Sequence, residues 1–355
     1  MPDALTRYAD AVREAAVSGS PLRLRGGGSK DFYGGALAGE VLDVSGYAGV
    51  VDYEPTELVM TARAGTPLAE IESVLKAKQQ MLAFEPPHFG NATLGGCVAA
   101  GLSGPRRAAA GAARDFVLGV RLLDGAARDL RFGGQVMKNV AGYDVSRLIA
   151  GSMGTLGLIL EVSLKVLPLP AVETTLRFEL PQDAALRTMN QWAARPLPIS
   201  ATCYATNELV LRLSGAEAAV RAAMALLGGE IVADGAAFWT GLREQTLPFF
   251  TLATGDGTPL WRLSVPSNTA PLELAGPQLI EWGGALRWLR SAGAARSIRE
   301  AAAAAGGHAT LFRGADKSAG VFHPLAGPML EVHRKLKQAF DPRGIFNRGR
   351  LYAEF

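Results

Sequence analysis

The sequence predicts an α+β protein in two parts, and three observations carry the prediction. Short strand-like runs separated by glycine clusters fill residues 20–167. A strand–helix–strand pattern then appears twice between residues 171 and 322. Pro168 and Pro170 fall between the two stretches, where neither a helix interior nor a central strand tolerates them. Strand–helix–strand units used twice call for an antiparallel sheet with helices on one face. The chain has 355 residues, 48% of them hydrophobic and 19% charged, enough for two cores. The expected boundaries are 1–170, 171–322 and a C-terminal segment, 323–355, that returns to the first part.

In chain order, Leu5, Tyr8, Ala9 and Val12 recur at helical spacing and predict an amphipathic helix over about 3–18. PLRLR, VLDVS, VVDYEP and LVMTARA read as strands. Thr66 and Pro67 open a helix, with Thr66 as N-cap and Pro67 at the first helical position. LAEIESVLKAKQQ continues it, and MLAFEP returns as a strand. Residues 86–111 are rich in glycine and alanine, with CVAAGLSG as a short helix. FVLGVRLLDGAARDLRF holds two alternating runs around Asp124-Gly125, a strong hairpin signal. DVSRLIAG reads as a helix and LGLILEVSLKVL as a strand.

The second part opens with strand TLRFELP and helix QDAALRTMNQWAA. ATCYA and LVLRLSG form a hairpin over Thr206, Asn207 and Glu208, and AEAAVRAAMALLG is a helix. The second round is strand PLWRLSVP, a helix or loop in LELAGPQLI, strand ALRWLRS, helix AARSIREAAAAAG and strand HATLFRG. The tail is a helix stopped by Asp341-Pro342 and followed by a glycine-containing loop.

Composition excludes several classes. A net charge of +3 without a long Lys/Arg run argues against nucleic-acid binding. Cys97 and Cys203 lie far apart, which fits a reduced, cytoplasmic protein with neither a disulfide framework nor a zinc ribbon. The acidic, amphipathic N-terminus is not a signal peptide. Glu161 and Lys165 break the most apolar run, so it cannot span a bilayer. Any membrane association would be indirect, through a partner.

Three glycine clusters dominate the first part: RGGGSK (25–30), FGNATLGG (89–96) and GSMGTLG (151–157). None fits a Rossmann fingerprint, since residue 31 is Asp31 where glycine is needed, and no P-loop motif exists. The physical reading survives. Successive N–H groups in a glycine turn form an anion nest, and Lys30 could add charge. The short helix after the second cluster could offer further orphan N–H donors. The competing reading is tight turns between strands. Three clusters at strand ends in one domain weigh against it.

Taken together and in order, RGGGSK, PPHFGNATLGGCVAAGLSGP, ARDFVLGVRLLDGAARDLRFGG and KNVAGYDVSRLIAGSMGTLGLILEVSLKVLP resemble the FAD-binding domain of the vanillyl-alcohol-oxidase / p-cresol-methylhydroxylase superfamily. Within it, KNVAGYDVSRL, GGHATLFRG and the ending FDPRGIFNRGR are similar to the FAD-binding subunits of bacterial glycolate oxidase. The strong likeness covers roughly 20–170 and 330–352. It implies a PCMH-type two-subdomain FAD-binding domain followed by an α+β, ferredoxin-like cap. It also implies an FAD-dependent oxidoreductase acting on CH–OH groups, within a complex that converts glycolate to glyoxylate. The implied partners are a homologous larger flavoprotein subunit and an iron–sulfur subunit, because this chain has no cysteine cluster for its own centre. The alternatives are a stand-alone FAD-dependent 2-hydroxy-acid dehydrogenase, a flavin-bearing electron-transfer or structural partner without its own substrate chemistry, and a scaffold that has lost FAD.

The resemblance also implies site residues. Gly26, Gly27, Gly28, Ser29 and Lys30 would form the pyrophosphate loop. Pro86 and the stretch Gly90, Asn91, Thr93, Leu94, Gly95 and Gly96 would line the flavin. Ser103, Gly104 and Gly111 would complete the diphosphate and ribityl surroundings. Gly154, Gly157 and Ile159 would contact the adenine side or the ring edge, and Asn347 would close the site. Met153 and Arg348 stand where relatives often have Glu and Pro. Ser29 stands where some relatives attach FAD through His, so non-covalent FAD is expected.

Oxidising a 2-hydroxy acid needs a base, a cation for the carboxylate and a hydride acceptor. His88, His308, His323 and His333 are the four histidines. His88 follows two prolines beside the second cluster. His308 and Arg313 share one strand, but their odd spacing puts them on opposite faces. His323 lies near the domain return, and His333 sits on a basic helix face. The H-x-G-D-G-N-x-H metal signature of related dehydrogenases is missing from GGHATLFRG, and no other ligand spacing appears, so no metal is expected.

Overall fold

The computed structural model describes residues 2–134, 144–255 and 257–355. KNVAGY, residues 138–143 of the family-like motif, lies outside the described residues. The chain forms two compact units. The first comprises Met1–Leu102, Ala112–Pro168 and Pro324–Phe355, and the second Ser103–Gly111 and Leu169–His323.

In the first unit, a five-stranded antiparallel sheet has the order Val50–Glu54, Val59–Arg63, Leu158–Lys165, Val117–Leu123, Asp129–Gly133. Its last pair is the expected hairpin over Asp124-Gly125. The strand Leu22–Arg25 pairs in parallel with Glu40–Asp43. The N-terminal helix Pro2–Ser18 buries Tyr8, Val12 and Ala15, spaced by a helical turn. That stripe joins Leu22, Val44, Leu158, Ile345 and Phe346 in one core, so the C-terminal tail is part of the first unit's interior.

Two expectations change. Thr66 is not a helix cap: the helix runs Leu68–Lys76 with extended Pro67 at the N-cap. The Thr66 hydroxyl instead donates to Arg63 O at 2.7 Å and accepts from Gly49 N at 2.9 Å, pinning a turn. MLAFEP gives only the strand Gln80–Met81. Leu82, Ala83 and Phe84 are buried outside any strand, because their side chains fill the core while the backbone finds no neighbouring ladder.

The second unit is built on an eight-stranded sheet. Its order is Glu230–Ile231, Val172–Glu179, Glu208–Gly215, Ile199–Ala205, Gln278–Glu281, Leu286–Arg290, Leu260–Ser264, His308–Arg313. Every neighbouring pair is antiparallel. The helix Gln182–Ala193 packs Ala185, Leu186 and Met189 with Tyr204, Leu209 and Ile280. The helix Ala295–Ala304 packs Ile298 and Ala302 with Trp261, Leu263, Leu289, Ala309 and Leu311. Thr206 and Asn207 turn the expected hairpin with φ of +53° and +63°, the left-handed pair that a tight hairpin turn requires. LELAGPQLI is loop as far as Pro277 and then strand.

Candidate functional site

The site lies wholly within the first unit, where the three glycine clusters meet in one cleft. RGGGSK leaves the strand Leu22–Arg25, whose position is fixed by its parallel neighbour and by a bridge from Leu22 to Phe346. Gly28 has φ +69°. The N–H groups of Gly27, Gly28 and Ser29 meet no acceptor among the described residues. Consecutive unpaired N–H groups in a glycine turn are an anion nest. Buried Lys30 extends the positive end. Its Nζ lies 3.3 Å from both Ser29 Oγ and His88 O and 5.6 Å from the Phe89 ring centroid.

The glycines also serve a purpose that sequence reading did not supply. A Cβ on Gly27 would fall 1.5 Å from Asn91 O, and one on Gly26 would fall 2.3 Å from Thr93 Oγ1. The first cluster therefore abuts the second, and the nest exists because the two backbones touch. Gly95 is constrained in the same way, its Cβ site 2.7 Å from Ala64 Cβ.

The helix after the second cluster, Leu94–Ala100, is capped by Thr93 and closed by Gly101 at φ +63°. Its early donors are not orphans, which corrects the expectation. Leu94 N–H donates to Thr66 O at 2.9 Å and Gly95 N–H to Ala64 O at 2.8 Å. Gly96 N–H donates to Thr93 Oγ1 at 3.4 Å. This helix is a wall of the cleft rather than an anion donor. Its Cys97 thiol is buried, and burial pushes its pKa up to about 11, so it is inert as a nucleophile.

The third cluster is tied to the tail. Asn347 accepts from Leu24 N–H at 2.8 Å through Oδ1 and donates to Met153 O at 2.7 Å through Nδ2. A Cβ on Gly154 would lie 2.6 Å from that Nδ2. Asn347 thus braces two walls with its own polar atoms. Arg350, which sequence reasoning missed, is also buried. Its guanidinium donates to the carbonyls of Asp31, Gly35, Lys30 and Tyr33. Burial pushes its pKa down, opposed by Asp31. A single arginine in a tail carries no local signal; only the fold brings it under the first cluster. Among the described residues Arg25, Lys30 and Arg350 line the cleft with Asp31 as the one carboxylate, an excess of positive charge suited to a diphosphate.

Gly26, Gly27, Gly28, Ser29, Lys30, Thr93, Gly95, Gly96, Gly154, Gly157, Ile159 and Asn347 all line the cleft. Pro86 is buried in the adjoining loop, Gly90 and Asn91 are exposed, and Leu94 is buried behind the wall; none of these four lines it. Ser103, Gly104 and Gly111 belong to the second unit, held there by bonds described below.

The catalytic candidates are dispersed. His88 Nε2 lies 3.1 Å from Glu72 Oε1, outside the cleft lining. In the second unit His308 faces His323, their ring centroids 6.5 Å apart. Burial, then Arg262 and His323, holds His308 below its ordinary pKa; burial, then Arg299, does so for His323. Arg313 donates to Gln245 Oε1 at 2.9 Å, so it and His308 have separate partners. The His333 ring stacks on Phe355, their centroids 6.3 Å apart. Among the described residues no three His, Cys, Asp or Glu cluster at metal-binding range, and no helix is long and apolar enough to cross a membrane.

Residues 2–133 match the family described as FAD binding domain. The chain is 52% identical over 346 residues to glycolate oxidase subunit GlcE of Escherichia coli K12, covering 97% of this chain and 96% of that protein. Glycolate oxidase subunit GlcD of Bacillus subtilis is 30% identical over 151 residues, 42% of this chain and 32% of that protein. A solved structure of alkyldihydroxyacetonephosphate synthase shares the fold at TM-score 0.61 and 16% identity, covering 96% of this chain and 74% of that one. The glycine clusters, the cleft they form and near full-length identity agree: the chain carries an FAD-binding domain and belongs to the family of glycolate oxidase subunit GlcE.

Proposed function

We propose that this chain is the FAD-bearing subunit of a glycolate oxidase complex. The observation that carries the reading is the nest of unpaired N–H groups at Gly27, Gly28 and Ser29, with Lys30 beside it and Arg350 beneath it. These groups would hold the diphosphate of FAD, while Thr93, Gly154, Gly157, Ile159 and Asn347 would line the rest of the cofactor. FAD is held non-covalently. When bound, it would supply the redox centre: a hydride acceptor at N5 and a carrier for onward electron transfer. The protein's own part is to bind and orient, through backbone donors fixed by close glycine contacts.

Two relatives bear the names of different glycolate oxidase subunits, which supports a multi-subunit assembly. In it a longer homologous flavoprotein oxidises glycolate to glyoxylate and an iron–sulfur subunit carries electrons away. The chain resides in the cytoplasm and meets the membrane only through partners.

Purified protein should be yellow, and acid should release the flavin. Mixed anaerobically with glycolate, it should stay oxidised alone and bleach once the other subunits are added. A colourless protein that FAD cannot reconstitute would remove the proposal. Bleaching by this chain alone would replace it with the stand-alone dehydrogenase.

A further inference from the structure

We infer that Trp282 is a positioning residue: it clamps the segment Ser103–Gly111 onto the second unit's sheet and thereby sets the end of the helix that walls the flavin cleft. The inference rests on the FAD-binding reading.

The segment is an excursion. Its neighbours on both sides, Leu102 and Ala112, belong to the first unit, yet Ser103–Gly111 belongs to the second. Anchors among the described residues account for that. Trp282 Nε1–H donates to Gly104 O at 3.1 Å in a buried bond. The Arg107 guanidinium lies 4.5 Å from the Trp282 ring centroid. Arg106, itself buried, pairs with Glu173, whose same oxygen accepts from Ser214 Oγ at 2.6 Å.

Trp282 is held in a conformation it would not choose. Its φ is +55°, followed by Gly283 at +65° and Gly284 at +108°. A bulky residue with positive φ is a genuine outlier and persists only where its surroundings over-determine it. Here they do. Gly283 N–H donates to Thr202 Oγ1 at 2.8 Å, and Gly284 O accepts from Arg287 Nε at 2.6 Å. A Cβ on Gly284 would lie 2.3 Å from Ser267 O. Arg262 lies 5.2 Å from the same indole, so two guanidiniums flank one ring, an attractive arrangement that strengthens on desolvation. This strained turn serves to aim the indole at the segment.

The segment's link to the first unit is covalent. Ala99 and Ala100 line the cleft, and the segment begins at Ser103, three residues on. Fixing Gly104 therefore restrains the C-terminal end of the wall helix. By linkage, whatever Trp282 contributes to FAD binding, FAD must return to the segment's attachment.

Arg106 and Arg107 make this measurable, because trypsin can cut after either only when the segment is released. The full-length chain is digested briefly with and without FAD, as wild type, Trp282→Phe and Arg107→Gln. Cutting after Arg106, the site that all three proteins keep, is read by mass, FAD affinity by flavin fluorescence and flavin environment by the visible spectrum. Trp282→Phe keeps an aromatic ring, smaller than the indole, but lacks the donor, so it should fold, checked by circular dichroism. We expect FAD to slow cutting in wild type. We expect Trp282→Phe to speed cutting about tenfold, weaken FAD about fivefold and shift the bound-flavin band, with Arg107→Gln intermediate. Faster cutting with unchanged flavin affinity and spectrum would make Trp282 a structural prop and overturn the inference. Unchanged cutting would overturn the clamp. Wild-type protein that binds no FAD would instead overturn the proposed function, and the coupling with it.

Discussion

At the scale of single residues, Gly27 shows both how far the sequence could be read and where reading stopped. Three adjacent glycines announce that backbone approaches something. They do not say that the neighbour of Gly27 is the carbonyl of Asn91, because the two are 64 positions apart and no local pattern links them. Arg350 is the mirror case: a residue with no signature that becomes the main tie of the first loop. The contact at Gly27 gives a prediction. Gly27→Ala puts a methyl 1.5 Å from Asn91 O, so the two loops must part. Overpacking of this kind costs about 1–3 kcal/mol, and the nest opens with it. Urea unfolding should show that loss of stability, and flavin absorbance per protein should fall even with excess FAD. Wild-type stability with wild-type flavin content would mean that the two loops do not meet as described.

At the scale of elements, strands with clear alternation and turn chemistry were legible, and elements set by distant contacts were not. The hairpin around Asp124-Gly125 needed only its own residues. The helices Gly235–Glu244 and Pro248–Gly255 were missed; the first has an N-cap signal in Asp234, which accepts from Ala237 N–H at 3.1 Å. The strand Val172–Glu179 carries a charge whose environment the sequence could not show. Glu173 faces Ser214, Arg212 and Arg106. Burial alone would raise its pKa, but the Ser214 hydrogen bond and the two guanidiniums outweigh it and hold the carboxyl below its ordinary 4.5. A carboxyl with a lowered folded-state pKa adds stability above the unfolded-state value and loses it as pH falls through the folded-state value. Glu173→Gln should therefore be less stable than wild type at neutral pH, and the gap should close on acidification below pH 4.5. A gap that stays constant with pH in denaturant melts would mean that the charge of Glu173 contributes nothing.

At the scale of the whole molecule, the chain passes from one compact unit to the other between Pro168 and Leu169. The sequence does not show the excursion of Ser103–Gly111, because SGPRRAAAG reads as one more small-residue loop of the first part. Only its partners, Trp282 and Glu173, reveal its allegiance, and both lie far along the chain. The excursion has a thermodynamic consequence. FAD binds the folded first unit and not the unfolded chain, so it stabilises that unit by RT ln(1 + [L]/Kd), about 2.7 kcal/mol at a hundredfold excess over Kd. For a unit of this size that moves its midpoint up by roughly 5–10 °C. If the units unfolded independently, calorimetry with added FAD would move one transition and leave the other in place. The segment held by Trp282 makes them cooperate. FAD should therefore raise the second unit's transition as well, and Trp282→Phe should uncouple the two, leaving only the first to respond. A wild-type scan in which FAD moves one transition alone would show that the segment transmits nothing between the units.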